Sequence, residues 1–507
     1  MEISTPIVLQ INPLYSYIRV VDPNYPCLRE MWEYFDQVLS YPIEGSYFIK
    51  AQAASEDKKW MESWDGKKHL FSVKTGRFLT GLLPYIVSAT ELYGVPFTVE
   101  DTRPVYQATP INGLSPDLQS RYYQKDAVKA ILKHKRGIIW ARPRSGKTIC
   151  EVMLHNGLGL APHLSICQSL DIVYQTVDKF KKYLPGVSVG MIGDGKVDIQ
   201  DVTISTIQSI ASAYDFVYPH KRGERKEHPI SQTVEKQAII NLVKSAKIVW
   251  IDESHHAMSD IYRAILEKEI TSAEYIIGSS GTPYREDNTD KHIEGLLGPI
   301  IFEIDYATLI AGGFLLSPTI HLIELPEEVD TKNKSYQTIY KECVVENGTR
   351  NRIIKEVTID LNNRKKSCMI LVSSIRHGEL LERLIPGSRF VHGTSKNRQQ
   401  SWQELRDSKL LTIVTTLGDE GLDVANLDAV IIAAGGESAI DAYQRLRCMT
   451  PSPEDAPVKK TSAIVVDFLD PYKYLKKHSN KRKKLYKSEE PSFKVVIHKY
   501  PNKRSKD

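Results

Sequence analysis

Two short stretches of this chain carry residue types suited to phosphate chemistry. Residues 137–150 read GIIWARPRSGKTIC, in which an apolar strand runs directly into Ser145-Gly146-Lys147-Thr148, and the helical stretch EVMLHNGL follows. Strand, loop and helix N-terminus in that order form a phosphate cradle, because the loop's backbone N–H groups and the helix dipole converge on one anion. Lys147 would reach the β- and γ-phosphates of a nucleoside triphosphate as a point charge, and the Thr148 hydroxyl would ligate Mg2+. The full GxxxxGK[ST] pattern opens on glycine, and here that place holds Ala141. A bare GKT occurs by chance; the preceding strand is what gives this one its meaning.

The second stretch, KIVWIDESHH at 247–256, again ends an apolar strand on an acidic pair. Asp252 stands where a carboxylate would hold Mg2+ through water, and Glu253 where a base would polarise an attacking water. By itself such a pair is often a helix N-cap with an acid in the first turn; the phosphate loop upstream decides for the nucleotide. His255 follows and is expected to sense the γ-phosphate or to couple two domains. His256 points another way from its neighbour, makes no shared metal site with it and stays unassigned.

Positioning these groups requires parallel strands that end at one edge. Short apolar runs recur from about Gly137 to Asp470: GIIWA at 137, VTIST at 202, KIVWID at 247, YIIGSS at 275, SCMILVSS at 367, LTIVTT at 411, AVIIAA at 429 and AIVVDF at 463. Continuous runs of this kind fit buried parallel strands, and alternation with helical stretches gives βαβ units. They fall into two sets, separated near Gly312-Gly313-Phe314-Leu315-Leu316-Ser317-Pro318. Before about Asn112 the chain is more aromatic and alternates less, and the turn-rich DTRPVYQATPING closes that segment. The expected architecture is α/β, with a small α+β N-terminal domain at 1–112, parallel-sheet domains at 113–314 and 315–470, and a basic tail at 471–507.

Composition narrows the class without naming a reaction. Hydrophobic residues make up 41% and charged residues 25% of 507, the profile of a globular protein able to build its own cores. Cys27, Cys150, Cys167, Cys343, Cys368 and Cys448 form no CxxC pair and are expected to be reduced and mostly buried. No apolar run is long enough to span a bilayer and no basic leader precedes an apolar core, so a cytoplasmic location without a membrane partner is expected. The net charge of +5 is mild, but the stretch from Tyr472 to the C-terminus and HKRGERKEH at 220 concentrate cations. Such clusters attract phosphate backbones, although charge alone more often marks a solvated surface.

Taken in order, the motifs resemble those of superfamily 2 helicases and translocases of the DExH type, over about Leu118 to Phe468. Arg121-Tyr122-Tyr123-Gln124 is similar to the adenine-reading motif that precedes the phosphate loop, and the Gln124 amide carries the donor and acceptor that adenine's edge presents a match for. Ser205-Thr206-Ile207-Gln208-Ser209 resembles the backbone-contacting motif of the first motor domain, and Ser280-Gly281-Thr282-Pro283 with Tyr284-Arg285 the coupling motif. Ser373-Ser374 and His392-Gly393 fall where the second domain meets the strand backbone in that family. The run from Thr415 to Asp423 looks like the motif in which Thr415 and Thr416 touch nucleic acid while Gly421 and Asp423 face the nucleotide. Gln444-Arg445-Leu446-Arg447 looks like the arginine-finger motif, but it lacks the glycine of the family's Gln-Arg-x-Gly-Arg-x-x-Arg. If one residue is deleted, Arg447 is the finger; if none is, Cys448 stands in its place. Arg447 is the preferred candidate and Arg445 the second. Trp64-Asp65-Gly66-Lys67, Leu70-Phe71 and Gly76-Arg77-Phe78-Leu79-Thr80-Gly81, with His478, Arg482 and Tyr486, are similar to phage UvsW-like recombination helicases.

The resemblance implies two tandem RecA-like motor domains fuelled by ATP with Mg2+, bound in the cleft between them. Lys147, Asp252, Glu253, Arg447 and Arg445 would serve hydrolysis. Gln124, Arg121, Ser145, Gly146, Thr148, His255, Gly421 and Asp423 would surround the nucleotide with Lys147, and Thr148 and Asp252 the metal. Ser205, Thr206, Gln208, Ser280, Thr282, Arg285, Ser373, His392, Gly393, Thr415 and Thr416 would contact nucleic acid or couple it to hydrolysis. The implied partner is branched DNA (forks, D-loops, Holliday junctions), remodelled in recombination, repair or replication by a monomer. Lys67, Lys68 and Arg77 are the candidate DNA contacts of the N-terminal domain. Three alternatives stay open: a restriction-type DNA translocase, an RNA helicase with the same motor, and an ATP-gated nucleic-acid clamp that turns over poorly.

Overall fold

The structure is a computed structural model that describes residues 5–55, 64–216, 233–282, 289–392, 395, 398–407, 411–416, 427–435, 446–451, 460 and 462–499. The chain divides into two compact units, the first built mainly from residues before Ile304 and the second mainly from Ile304 onward.

Six strands open the first unit: β1 (Ile7–Ile11), β2 (Tyr15–Val20), β3 (Ser40–Pro42), β4 (Lys67–His69), β5 (Arg77–Leu79) and β6 (Phe97–Asp101). β1 sits between antiparallel β2 and parallel β6, β5 edges β2, and β3 and β4 make a separate hairpin-like pair. The helix Leu28–Val38 turns Leu28, Met31 and Phe35 inward, one stripe at helical spacing. This segment is α+β, but its core is not its own. Ile7, Leu9, Ile18, Phe35, Phe78 and Ile86 belong to one cluster with Ile138, Leu164, Val249 and Ile276 of the next sheet. The approach is close: a Cβ on Gly81 would come 2.2 Å from the Glu294 carbonyl oxygen. Tyr85 Oη donates to Glu294 at 2.7 Å, and Tyr41 Oη lies 3.0 Å from His292 Nδ1.

The main sheet of the first unit contains β7 (Arg136–Ala141), β8 (His163–Cys167), β9 (Val189–Gly193), β10 (Lys196–Val197), β11 (Val202–Thr206), β12 (Ile248–Asp252), β13 (Tyr275–Ser280) and β14 (Ile300–Ile304). Its order is β10-β9-β11-β8-β12-β13-β7-β14, and β7 to β9 and β11 to β13 pair in parallel. β8, β11 and β13 are buried along their whole length, which is why β11 and β13 read as unbroken apolar or small-residue runs.

The second unit repeats the plan with β15 (Pro318–Glu324), β16 (Cys368–Val372), β17 (Ser388–Val391), β18 (Thr412–Thr416), β19 (Ala429–Ile432), β20 (Ala463–Leu469) and β21 (Lys494–Lys499). The order is β17-β18-β16-β19-β20-β15-β21, with every pairing parallel. All eight runs singled out from the sequence are strands. The stretch read as a basic tail is instead part of this unit. Residues Lys473–Ser488 form a helix and β21 pairs with β15. The helix is held by buried Arg482, whose Nε and Nη2 donate to Asp467 at 2.8 and 2.9 Å, while Tyr486 Oη donates to the same carboxylate at 3.0 Å. Charge counting concealed this, because one arginine and one tyrosine face inward among many solvated lysines. No helix among the described residues is long and apolar enough to cross a membrane.

Candidate nucleotide site and nucleic-acid face

The phosphate loop forms where β7 gives way to the helix Lys147–Leu158. Arg144 and Gly146 take left-handed backbone, with φ of 70° and 84°. The left-handed φ is what calls for glycine at 146, and Gln124 Nε2 packs against it, 2.4 Å from where a Cβ would stand. Ala141 ends β7 with no positive φ, so the missing first glycine removes nothing the backbone demands. Gln124 is buried at the start of the helix Tyr122–His134, and its Oε1 accepts from the Arg121 backbone N–H at 2.8 Å. One lone pair of the acceptor expected to read adenine is therefore used to cap a helix, while the amide nitrogen packs on the loop. Arg121 itself donates to Tyr123 Oη at 2.7 Å. Ser145 is buried in the loop, and Thr148 is half-buried at the helix start.

β12 delivers the carboxylates. Lys147 Nζ donates to Glu253 Oε1 at 2.9 Å and stands 3.8 Å from Asp252 Oδ1. Burial pulls the Lys147 pKa down, but Glu253 and Asp252 more than offset it, and the net shift is upward. The lysine is therefore a fixed cation between two anions. Ser279 Oγ donates to Asp252 Oδ1 at 2.9 Å and sets its orientation. Sequence reasoning missed Ser279; the signal available was its place beside Ser280 at the end of a strand that could neighbour β12, and the register does place it opposite Asp252. Glu253 adopts φ 48°, uncommon for a residue with a Cβ, as the chain turns sharply out of the strand.

From Glu253 a chain of polar contacts leads to the coupling motif. His255 Nδ1 lies 3.4 Å from Glu253 Oε2 and 3.0 Å from Ser280 Oγ, and Ser280 Oγ accepts from the Thr282 N–H at 3.1 Å. His255 and the Ser280–Thr282 turn, distant in sequence, are thus assembled beside the candidate base. His256 packs its ring on that of His255 at 4.2 Å.

Several expected nucleic-acid contacts are placed otherwise. Ser205 and Thr206 are fully buried. The Ser205 hydroxyl donates to the Thr206 carbonyl at 3.0 Å, and the Thr206 hydroxyl caps the helix Ile207–Ala213 by accepting from Ser209 N–H at 3.1 Å. Both hydroxyls are engaged within the turn that starts this helix. Gln208 is half-buried, with its amide nitrogen donating to the Gln168 carbonyl at 3.1 Å. In the second unit Thr415 is fully buried within β18. Ser373 is exposed and bonded to Tyr340 Oη, and His392 is half-buried with its N–H donating to Ser395 Oγ at 3.0 Å. In the N-terminal segment Lys67 and Lys68 are exposed on β4, whereas the Arg77 guanidinium lies 4.7 Å from the centre of the Tyr15 ring. Arg285, Gly393, Gly421, Asp423, Arg445 and the side chains of Thr416 and Arg447 lie outside the described residues.

Cys448 bears on the finger register. It is fully buried, its Sγ donates to the Ile464 carbonyl at 3.3 Å, and burial pushes its thiol up to about 11. A core residue cannot reach a phosphate, so the register that puts Cys448 in the finger's place leaves that place without a usable group. A further residue the sequence did not flag, Lys460, donates to the carbonyls of Cys448, Thr450 and Leu427 and so braces the segment after Arg447.

A phosphate loop, a carboxylate pair on a central strand and a second parallel sheet make an α/β fold of two parallel-sheet units, the first of which carries the groups suited to a nucleotide. The family described as "Type III restriction enzyme, res subunit" matches residues 117–285. A relative from Haloarcula marismortui, "Putative DNA 3'-5' helicase Rad25", is 23% identical over 373 residues, 71% of this chain and 55% of that one. Among solved structures, a putative HsdR subunit of a type I restriction enzyme from Vibrio vulnificus matches with a TM-score of 0.52 at 18% identity, over 75% of this chain and 68% of that one. T4 UvsW matches at 18% identity and a TM-score of 0.42, over 97% and 99%. The chain spans about half the length of the first curated relatives it matches, 44% and 55%.

Proposed function

We propose that this chain is an ATP-dependent DNA motor of the DExH type, which moves along DNA and remodels branched DNA. The observation that carries the reading is Lys147 set 2.9 Å from Glu253 and 3.8 Å from Asp252 where β7 and β12 end. A left-handed Gly146, a helix N-terminus, a cation and two carboxylates suit a magnesium nucleotide, and bound Mg2+–ATP would supply the transferable phosphoryl group. Thr148 and Asp252 would hold the metal, with Ser279 fixing Asp252. Lys147 would balance phosphate charge. Glu253 would take the proton of the attacking water, and His255 and Ser280 would pass the state of that site to Thr282. Arg447 is the residue assigned to the arginine finger.

DNA is preferred to RNA because the family match and the Haloarcula relative are both named for DNA enzymes, and 3'-5' movement is adopted from that relative's name. The branched substrate rests on the N-terminal motifs. A second reading, translocation along duplex DNA without strand separation, is favoured by the restriction-enzyme family over 117–285.

The test is phosphate release by the unmodified chain, Lys147→Ala and Arg447→Ala, each with no nucleic acid, single-stranded DNA, a branched junction, or RNA. Strong stimulation by the junction, lost in both variants, is expected. Equal stimulation by linear duplex selects the second reading, and preference for RNA selects an RNA helicase. No turnover under any condition leaves an ATP-gated clamp.

A further inference from the structure

The second unit carries an arrangement that the motor reading does not use. Ser373, one of the expected strand contacts, is bonded to Tyr340 Oη. From Tyr340 the rings continue outward. Tyr336 lies 6.1 Å from Tyr340, Tyr474 lies 6.0 Å from Tyr336, and the His478 ring lies 5.8 Å from Tyr336. Tyr336 and Tyr474 are 41% and 40% exposed, enough to present ring surface to solvent. The two helices that bear them are fixed against each other by Ile339, Cys343, Val344, Tyr472 and Leu475 beneath. The rings therefore stand on a packed base.

Tyr474 and His478 belong to the helix Lys473–Ser488, which contains no carboxylate. Its buried face is Leu475, Ser479, Arg482 and Tyr486. By helical period Lys473, Lys477, Lys484 and Lys487 fall on one stripe on the opposite side, all exposed, and Tyr474, then His478, follow along one side of it toward the buried face. At 1.5 Å per residue the stripe runs roughly 21 Å, long enough to follow several successive phosphates. Rings for bases beside cations for phosphates are the two components of single-strand binding surfaces. A docking site for an acidic protein would use the lysines but would have no use for a graded row of aromatic faces leading away from Ser373.

We propose that an unpaired DNA strand leaving Ser373 runs over Tyr340, Tyr336 and Tyr474 and is then held by the lysine stripe of the helix Lys473–Ser488, which extends the strand path beyond the motor motifs. This rests on the DNA-motor reading above.

The test is binding of a fluorescent single-stranded oligothymidine to the full chain, followed by anisotropy across a salt series. Variants are Tyr336→Ala with Tyr474→Ala, the same pair changed to Phe, Tyr474→Ala alone, and Lys473→Ala with Lys477→Ala and Lys484→Ala. The double alanine variant should bind roughly tenfold or more weakly, and the phenylalanine pair near normally, because stacking needs the ring and not the hydroxyl. The lysine variant should lower the log–log salt slope by about 2, near 0.7 per lost phosphate contact on a single strand. DNA-independent phosphate release should stay unchanged in all of them. Tyr474→Ala alone, at an exposed site, should still weaken binding several-fold if the double variant folds poorly. Unchanged binding in the alanine variants, or equal loss in the phenylalanine pair, overturns the proposal while stimulated turnover keeps the motor reading. If the unmodified chain neither binds DNA nor releases phosphate, the motor reading itself falls, and this path with it.

Discussion

The two units finish the same kind of parallel sheet in opposite ways. In the first, the ends of β7, β12 and β13 place Lys147, Asp252, Glu253 and Ser279 within hydrogen-bonding or ion-pair range of one another, and all but Ser279 keep some contact with solvent. In the second, two charged pairs among the described residues are closed off. Arg350 pairs with Asp470 at 2.6 Å and Arg482 with Asp467 at 2.8 Å, all four buried. Thr415 and Cys448 are buried as well, while the lysine stripe and the rings of Tyr336 and Tyr474 stand exposed. The difference separates chemistry from grip. A reacting group must be held but not used up, whereas a fully buried, fully bonded ion pair is scaffold.

The contrast can be broken most forcefully in the second unit. Arg482→Met strands Asp467 without its guanidinium and should cost about 3–5 kcal/mol in urea unfolding, while Lys477→Met on the same helix stays within about 0.5 kcal/mol. Comparable small losses in both would mean that Arg482 is not scaffold. In the first unit Lys147→Ala should reduce phosphate release by roughly two to three orders of magnitude, the size expected for removing a group that stabilises transition-state charge. A loss of only a few-fold would take the chemistry away from the β7 and β12 ends. Smaller again is Ser280→Ala, which deletes the hydroxyl joining His255 to Thr282. DNA-stimulated turnover should fall by up to about tenfold, with basal turnover nearly unchanged; equal loss in both would make Ser280 part of the reaction and not of the coupling.

The smallest effect sharpens the first unit's division between active and merely buried charge. Behind the phosphate-loop helix, Glu151 Oε1 lies 3.3 Å from His163 Nε2, and the Nδ1 atoms of His163 and His155 are 3.3 Å apart. Burial pushes the Glu151 carboxyl up to about 8 and holds both imidazoles down at about 3. A raised carboxyl contributes stability that is present below its ordinary value of 4.5 and lost as pH rises toward 8. The histidines contribute above their ordinary 6.5 and lose it as pH falls toward 3. Glu151→Gln should therefore melt a few degrees above the unmodified chain at pH 8.5 and equal it near pH 5. A constant offset at both pH values would show that the effect is packing and not ionisation.

Much of the site could be read from the sequence because its signals are local. A strand, a turn with a left-handed glycine and a helix start lie within 136–158, so GIIWARPRSGKTIC announces its own geometry. KIVWIDESHH does the same for its carboxylates, and the apolar runs announced the α/β fold because parallel strands are buried on both faces. Only the tertiary structure could decide the rest, since burial and register are set by residues distant in the chain. The register of β12 against β13 brings Ser279 to Asp252. The same non-local packing buries Ser205, Thr206 and Thr415, which the resemblance had placed against nucleic acid, and Cys448, the alternative occupant of the finger position. It also folds the lysine-rich C-terminal stretch onto Asp467, since nothing within a few residues of Arg482 reveals the carboxylate it will meet.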